Sequence, residues 1–440
     1  MDVQVSGEII RVAMEDATPT IPVEIWDLIL DELSGDTSSL KNCSLVCKAW
    51  TPKSQRCLFD VLTYSNHWHD PDSLHLDDLA SFISASPHIA QYIRTLELCW
   101  CKQLQLSTLL SILSCLPYLR NLELGDRLHL LDDHGVASSL PTRRMGPLES
   151  FCLSSSEATS AVFHHILSLF PSIPRVTLKY RYWVERGRSD DPWYLYSSSG
   201  LIPLDLEVDT LSIHNVPWEM ISAMLHHNST MAKTITSLHL RMVHEYYSPA
   251  RVGALLVKLP SLQHLQLGPY FPTPMDELRA EYPQGRAFKD LKLARFPLET
   301  VEFSFCLKDH ATEMLEHFQL FMDADFPTCV REVRFSFFMP PHYWCFALPK
   351  SPEELASWAQ LDRKMLCTPP HVRFRMAYVD GDRERFLTQK TVSPFRAFCE
   401  GVLPGITAKG RLSVLTEAPA VPPGAPRGCM CLSCAPAERT

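Results

Sequence analysis

Three thiols at close spacing, Cys429, Cys431 and Cys434, come nearest in this chain to a soft-metal ligand set, since thiolates suit zinc or copper. A tetrahedral site needs a fourth donor, and no second Cys or His cluster lies nearby in the sequence, so no bound metal is expected. His67-Trp68-His69-Asp70 has ligand residue types too, but it lacks a partner cluster and reads as a turn. His164-His165 and His226-His227 fall inside amphipathic runs, where one member of each pair would face the core edge. No phosphate-cradling Gly-x-x-x-x-Gly-Lys-Ser/Thr run, Gly-x-Ser-x-Gly elbow or His-Glu-x-x-His helix occurs. With only 16 Gly in 440 residues, the tight backbone approaches that cofactor sites need are scarce, and no cofactor is expected.

The remaining chemistry is that of contact. Written as a helix, Ile21, Ile25, Leu28, Ile29 and Leu33 follow the three-and-four spacing of one face, while Trp26 and Leu30 occupy another that should have been polar. A second helical run follows, with Asp36 or Thr37 as N-cap and Leu40, Leu45, Val46 and Cys47 as apolar positions; Trp50 lies just beyond. Pro52 fits the first turn of a third helix ending near Leu58 and Phe59. About 40 residues cannot bury enough surface to be stable alone. Residues 21–59 therefore read as half of an interface.

These residues resemble the F-box. The family pattern stands here as Ile21-Pro22-Val23-Glu24-Ile25, Ile29-Leu30-Asp31-Glu32-Leu33, Asp36, and Val46-Cys47-Lys48-Ala49-Trp50. Ile21 replaces the usual Leu, and Thr37, Ser38 and Ser39 separate Asp36 from Leu40, which shifts the start of the second helix by a residue or two. The resemblance implies docking on the Skp-family adaptor of a cullin-based (SCF) ubiquitin ligase, with a second domain selecting the target. Carried over by position, it implies adaptor contacts at Ile21, Pro22, Ile25, Ile29, Leu30 and Leu33, with Val46 and Trp50 in support. Joined to the missing catalytic motifs, it implies a non-catalytic receptor subunit. A scaffold acting outside any ubiquitin ligase is the alternative.

Composition agrees with a folded protein: 46% of residues are hydrophobic and 21% charged. A net charge of -9 argues against nucleic acid as the main partner, because phosphate binding needs a concentrated excess of Lys and Arg. The first twenty residues lack a charged start followed by an unbroken apolar run, and no run of about 18 apolar residues occurs anywhere. A cytoplasmic or nuclear location is expected, without a membrane partner. Fifteen Cys, mostly single and in apolar contexts, fit reduced buried thiols there.

Beyond a connecting stretch with a helix from about Leu74 to Ser84, short apolar-x-apolar tokens recur. They are Leu96-Glu97-Leu98, Leu122-Glu123-Leu124, Phe151-Cys152-Leu153, Val176-Thr177-Leu178, Leu211-Ser212-Ile213, Leu238-His239-Leu240, Leu265-Gln266-Leu267, Val301-Glu302-Phe303 and Val333-Arg334-Phe335. Subtracting first positions gives intervals of 26, 29, 25, 35, 27, 27, 36 and 32 residues, five of them inside the period of leucine-rich repeats. Amphipathic helices fill the intervals, among them Leu109 to Leu116, Val162 to Phe170, Val252 to Leu259 and Met314 to Phe321. A Pro stops several of them, as in Leu116-Pro117 and Leu259-Pro260. This part resembles the irregular leucine-rich-repeat-like arrays that follow the F-box in many fungal F-box proteins, although the asparagine ladder of regular repeats is mostly missing. The expected fold is α/β: a three-helix F-box, then a solenoid of parallel strands backed by helices. An α/β domain of another topology is the alternative. The expected divisions are a disordered 1–19, the F-box-like 20–62, a linker with a helix over 63–90, the repeat domain 91–416, and a disordered Pro/Ala/Cys tail over 417–440.

If the apolar members of each token face the core, alternation sends Glu97, Asn121, Glu123, Thr177, Ser212, His239, His264, Gln266, Glu302 and Arg334 to the opposite face. A mixed polar surface of this kind suits an unknown protein target, and it is also what solubility alone would require. Aromatic insertions carrying Trp183 and Trp193, and the loop Met339 to Trp344, offer interface-type residues or caps for the stack. Arg181, Arg186 and Arg188 lie among these aromatics, but Glu185, Asp190 and Asp191 dilute their charge.

Overall fold

Nine times among the described residues, a buried aliphatic side chain is followed three and five places later by two more buried apolar residues. Leu119, Leu122 and Leu124 form one set, and Leu262, Leu265 and Leu267 another. In each set the last two lie on a strand and point to its core side, while the first closes the turn that leads in. All nine tokens expected as strands are strands. The added aliphatic, two residues before each strand, makes the repeat unit longer than the token that announces it.

The structure is a computed structural model that describes residues 22–46, 48–65, 76–99, 104–125, 128, 130–131, 145–154, 160–179, 205–214, 216, 218–241, 249–268, 292–306, 326–339, 352–380 and 389–415. The chain divides into two compact units, residues 1–61 and 62–440.

The first unit holds α1 (Val23–Glu32), a 3-10 turn (Leu33–Gly35), α2 (Thr37–Val46) and α3 (Thr51–Phe59). Asp36 starts α2: its main-chain carbonyl accepts from Leu40, and its carboxylate accepts from the Ser39 amide at 3.0 Å and the Ser39 hydroxyl at 2.6 Å. Pro52 lies in the first turn of α3, where its missing N–H costs nothing. The Lys53 ammonium reaches Asp31 at 2.7 Å and so ties α3 to α1, while the Thr51 hydroxyl donates to the Ser44 carbonyl at 2.9 Å.

The second unit is built on twelve strands: β1 (Val61–Ser65), β2 (Thr95–Cys99), β4 (Asn121–Leu124), β6 (Ser150–Ser154), β7 (Arg175–Lys179), β8 (Thr210–His214), β9 (Ser237–Arg241), β10 (His264–Leu267), β11 (Thr300–Cys306), β12 (Glu332–Met339), β13 (Arg373–Asp380) and β14 (Leu412–Leu415). They neighbour one another in chain order, and every ladder from β2 to β14 is parallel. A short parallel pair, β3 (Leu104–Gln105) and β5 (Leu130–Leu131), stands apart. Parallel neighbours require a crossover. Helices fill most of these connections: α4 (Leu76–Ala85) and α5 (Pro87–Ala90), α6 (Leu106–Ser114), α7 (Ser160–Ser168), α8 (Trp218–His227) with α9 (Ser229–Thr234), α10 (Pro249–Val257), α11 (Pro352–Cys367), and α12 (Gln389–Val402) with α13 (Pro404–Ala408). Their apolar stripes, such as Leu109, Ile112 and Leu113 or Val252, Leu255 and Leu256, are buried. The helix expected around Met314 to Phe321 lies outside the described residues.

Strand starts share one hydrogen-bond device. The Arg94 carbonyl accepts from the amides of both Arg120 and Asn121, at 2.7 and 2.9 Å, and the Thr236 carbonyl accepts likewise from Gln263 and His264. Residues 63–90, expected as a linker with a helix, carry that helix as α4 and the end of β1, with the Thr63 hydroxyl donating to Glu97 at 2.9 Å. The last two strands continue the sheet: β13 pairs with β12 over eight residues, and β14 extends it. The glycine after β10, Gly268, has φ +131°, and a Cβ there would collide with the Ser304 carbonyl. Asp362 on α11, buried, accepts from the Gly405 and Ile406 amides at 2.8 and 2.9 Å and so fixes α13.

Candidate functional site

In the three-helix unit the apolar residues sort into an inside and an outside. Leu30 is 2% exposed and Leu40 is equally closed, while Trp26 packs against Trp50 with ring centroids 4.4 Å apart. Ile25 is 44% exposed, Val23, Leu28 and Ile29 share its openness on α1, and at the end of α2 Leu45 reaches 84% with Val46 beside it. Ile25, Leu28 and Ile29 sit three and four apart on one face of α1. Each such side chain gains about 1.5–3 kcal/mol when fully taken out of water. The unit thus presents apolar surface that its own helices leave uncovered.

On the sheet, register assembles a polar row. Glu97, Glu123, Cys152, Thr177, Ser212, His239, Gln266, Glu302, Arg334 and Arg375 are neighbours in sequence of strands from β2 to β13. A parallel row two residues earlier on each strand includes Thr95, Asn121, Ser150, His264, Glu332 and Arg373. Hydrogen bonds run across the strands. The Ser150 hydroxyl donates to Asn121 at 2.6 Å, and the Asn121 amide donates to Thr95 at 3.1 Å. His239 lies between the Ser212 and Ser237 hydroxyls, 3.1 Å from each. Glu302 accepts from Gln266 at 2.8 Å and from Ser336 at 2.7 Å. Glu332 binds Arg334 through two nitrogens, at 3.0 and 3.2 Å, and Arg375 at 2.8 Å. Burial works against the charge on Arg334, but the bonds and field of Glu332, with Glu302 behind, outweigh it and raise its pKa above the ordinary value.

No protein-family model matches the chain, and no curated protein matches it. Nine chains of solved structures do. One belongs to the complex of Rad7 and Elc1 from yeast: the match covers 90% of this chain and 92% of that one, at 14% identity and a TM-score of 0.30.

The residues expected to meet an adaptor are spread over both sides of the three-helix unit. Pro22, Ile25, Ile29 and Val46 are exposed, Leu33 and Trp50 are half-buried, and Leu30 is a core residue; Ile21 lies outside the described residues. Those expected to meet a target share the polar rows, except Trp183 and Trp193, which lie outside the described residues. Asn121 and Glu123 are only 4% and 3% exposed, and the Asn121 side chain is used within the sheet. His264 is exposed, while Glu97, His239, Gln266, Glu302 and Arg334 are half-buried. Sequence reasoning left out Glu332, Arg373 and Arg375. Arg373-Phe374-Arg375-Met376 carried the alternation that would have found two of them.

Among the described residues, no group of three or more His, Cys, Asp and Glu could hold a metal ion, and no helix is long and apolar enough to cross a membrane. Cys429, Cys431, Cys434 and the His67-Trp68-His69-Asp70 stretch lie outside the described residues.

Proposed function

We propose that this chain is a substrate-recognition subunit of an SCF-type ubiquitin-protein ligase. In this reading residues 20–62 are an F-box-like domain that docks on the Skp-family adaptor and, through it, on a cullin. The sheet unit is a leucine-rich-repeat-like array that holds a protein target in the cytoplasm or nucleus. The chain itself is non-catalytic and works by proximity, raising the effective concentration of the target beside an enzyme supplied in trans.

The observation that supports this reading most is the uncovered apolar face of α1, with Ile25, Leu28 and Ile29 facing outward and Leu45 and Val46 open at the end of α2. A unit this small has little reason to expose so many aliphatic side chains unless a partner covers them.

Co-expression of the full chain with a Skp-family adaptor tests the reading. The adaptor should co-purify, cullin and ubiquitylated species should co-precipitate from cells, and Pro22→Ala combined with Ile25→Ala should abolish both. Retained binding in that double variant removes the assigned contacts. A wild-type chain indifferent to the adaptor removes the receptor reading itself.

A further inference from the structure

Three arginines meet on the polar face of the last long strands. Register sets Arg334 of β12 beside Arg375 of β13, and Glu332 beside Arg373 two residues earlier on the same face. Glu332 occupies Nε and Nη2 of Arg334 and Nε of Arg375, which holds the two guanidiniums side by side. Both terminal nitrogens of Arg375 and the Nη1 of Arg334 have no hydrogen-bond partner among the described residues, and neither does the exposed side chain of Arg373, whose main-chain amide donates to the Arg331 carbonyl. The Arg334 and Arg375 side chains keep 39% and 37% of their surface open. Glu302 completes the cluster, its carboxylate already engaged by Gln266 and Ser336. Three guanidiniums against two carboxylates leave a single positive charge, with fork donors unused among the described residues.

We propose that this patch on β12 and β13 holds the target through a side-chain carboxylate, an Asp or Glu of an acidic segment; the inference rests on reading the sheet unit as the target-binding part. Two parallel N–H donors on a guanidinium match the two oxygens of a carboxylate, and one surplus positive charge matches its one negative charge. A phosphate fits less well. It brings a charge of about −1.5 to −2, which would exceed the surplus and be repelled by Glu332 and Glu302. Glu332 is a positioning residue here, since it acts by orienting Arg334 and Arg375.

Fluorescence anisotropy with the full-length chain tests this. The probes are a labelled Gly/Ser dodecapeptide with one central Glu, its counterpart with Gln at that position, and a version with one central phosphoserine in place of the Glu. The acidic peptide should bind, weaken with added salt, and lose about tenfold in affinity with Arg375→Gln and again with Arg373→Glu. The Arg373 side chain makes no bond among the described residues, and its main-chain bond to Arg331 does not depend on the side chain, so that variant should fold, as circular dichroism would verify. Absence of acidic-peptide binding, equal binding of the neutral peptide, tighter binding of the phosphoserine peptide, or indifference to both variants would each overturn the proposal. Adaptor co-purification on the same samples keeps the two readings apart: its loss counts against the receptor reading, whereas a failed peptide result with the adaptor retained counts against the arginine patch alone.

Discussion

One carboxylate closes the start of α2. Asp36 takes both the amide and the hydroxyl of Ser39, and those bonds, the hydroxyl first, hold its pKa below the ordinary 3.8. A group whose pKa is depressed by folding contributes stability that is complete above its unfolded value and is lost as pH falls through the folded one. Hydrogen exchange of α2 should therefore be faster in Asp36→Ala than in wild type at neutral pH, and the difference should close only below pH 3.8. A gap that persists into stronger acid would mean that the side chain acts by something other than its charge. The sequence narrowed this cap to Asp36 or Thr37, because an N-cap is a local bond. Arg375 shows the opposite case. Its partner Glu332 lies on another strand, and the token that announces that strand, Val333-Arg334-Phe335, begins one residue too late to include it.

At the scale of the element, α1 carries two apolar faces, and both were legible from spacing. Which one turns inward was not, because the choice is made by Trp50, a residue beyond α2 that packs on Trp26. Nothing within α1 encodes that contact. The helix consequently separates stability from binding. Leu30→Ala should cost about 2–5 kcal/mol, since a closed core position loses its side chain. Ile25→Ala should change stability by no more than about 0.5 kcal/mol. Pulse proteolysis in stepped urea, with cleavage mapped to α1, α2 and α3, measures both. Comparable losses would mean that the face of Ile25 is already covered within the chain. The strands were easier to read than this helix: each token needs only two apolar residues around one polar residue, and parallel neighbours repeat the same pattern in register. Over 63–90 the expected helix is α4, while β1 (Val61–Ser65) was not legible because it lacks the aliphatic lead-in of the later strands.

At the scale of the whole sheet unit, each strand contacts mainly the strands before and after it, so stability should be close to a sum of repeat and neighbour terms. The far end offers a clean place to test this. Arg411 donates to the Val372 carbonyl at 2.9 Å and, through Nη2, to the Thr368 hydroxyl and the Pro369 carbonyl at 2.8 Å each, and it lies over the Phe374 ring at 5.4 Å. One side chain therefore pins the turn before β13 to the start of β14. Removing it in Arg411→Ala should speed amide exchange in β13 and β14 about tenfold, the effect of losing a partly solvated charged hydrogen-bond set. If neighbour terms dominate, β2 to β10 should keep their wild-type protection, because no hydrogen bond of Arg411 reaches them. A uniform rise from β2 to β14 would instead mean that the twelve strands open as one cooperative body, and that the repeat in the sequence is not matched by a repeat in the energetics.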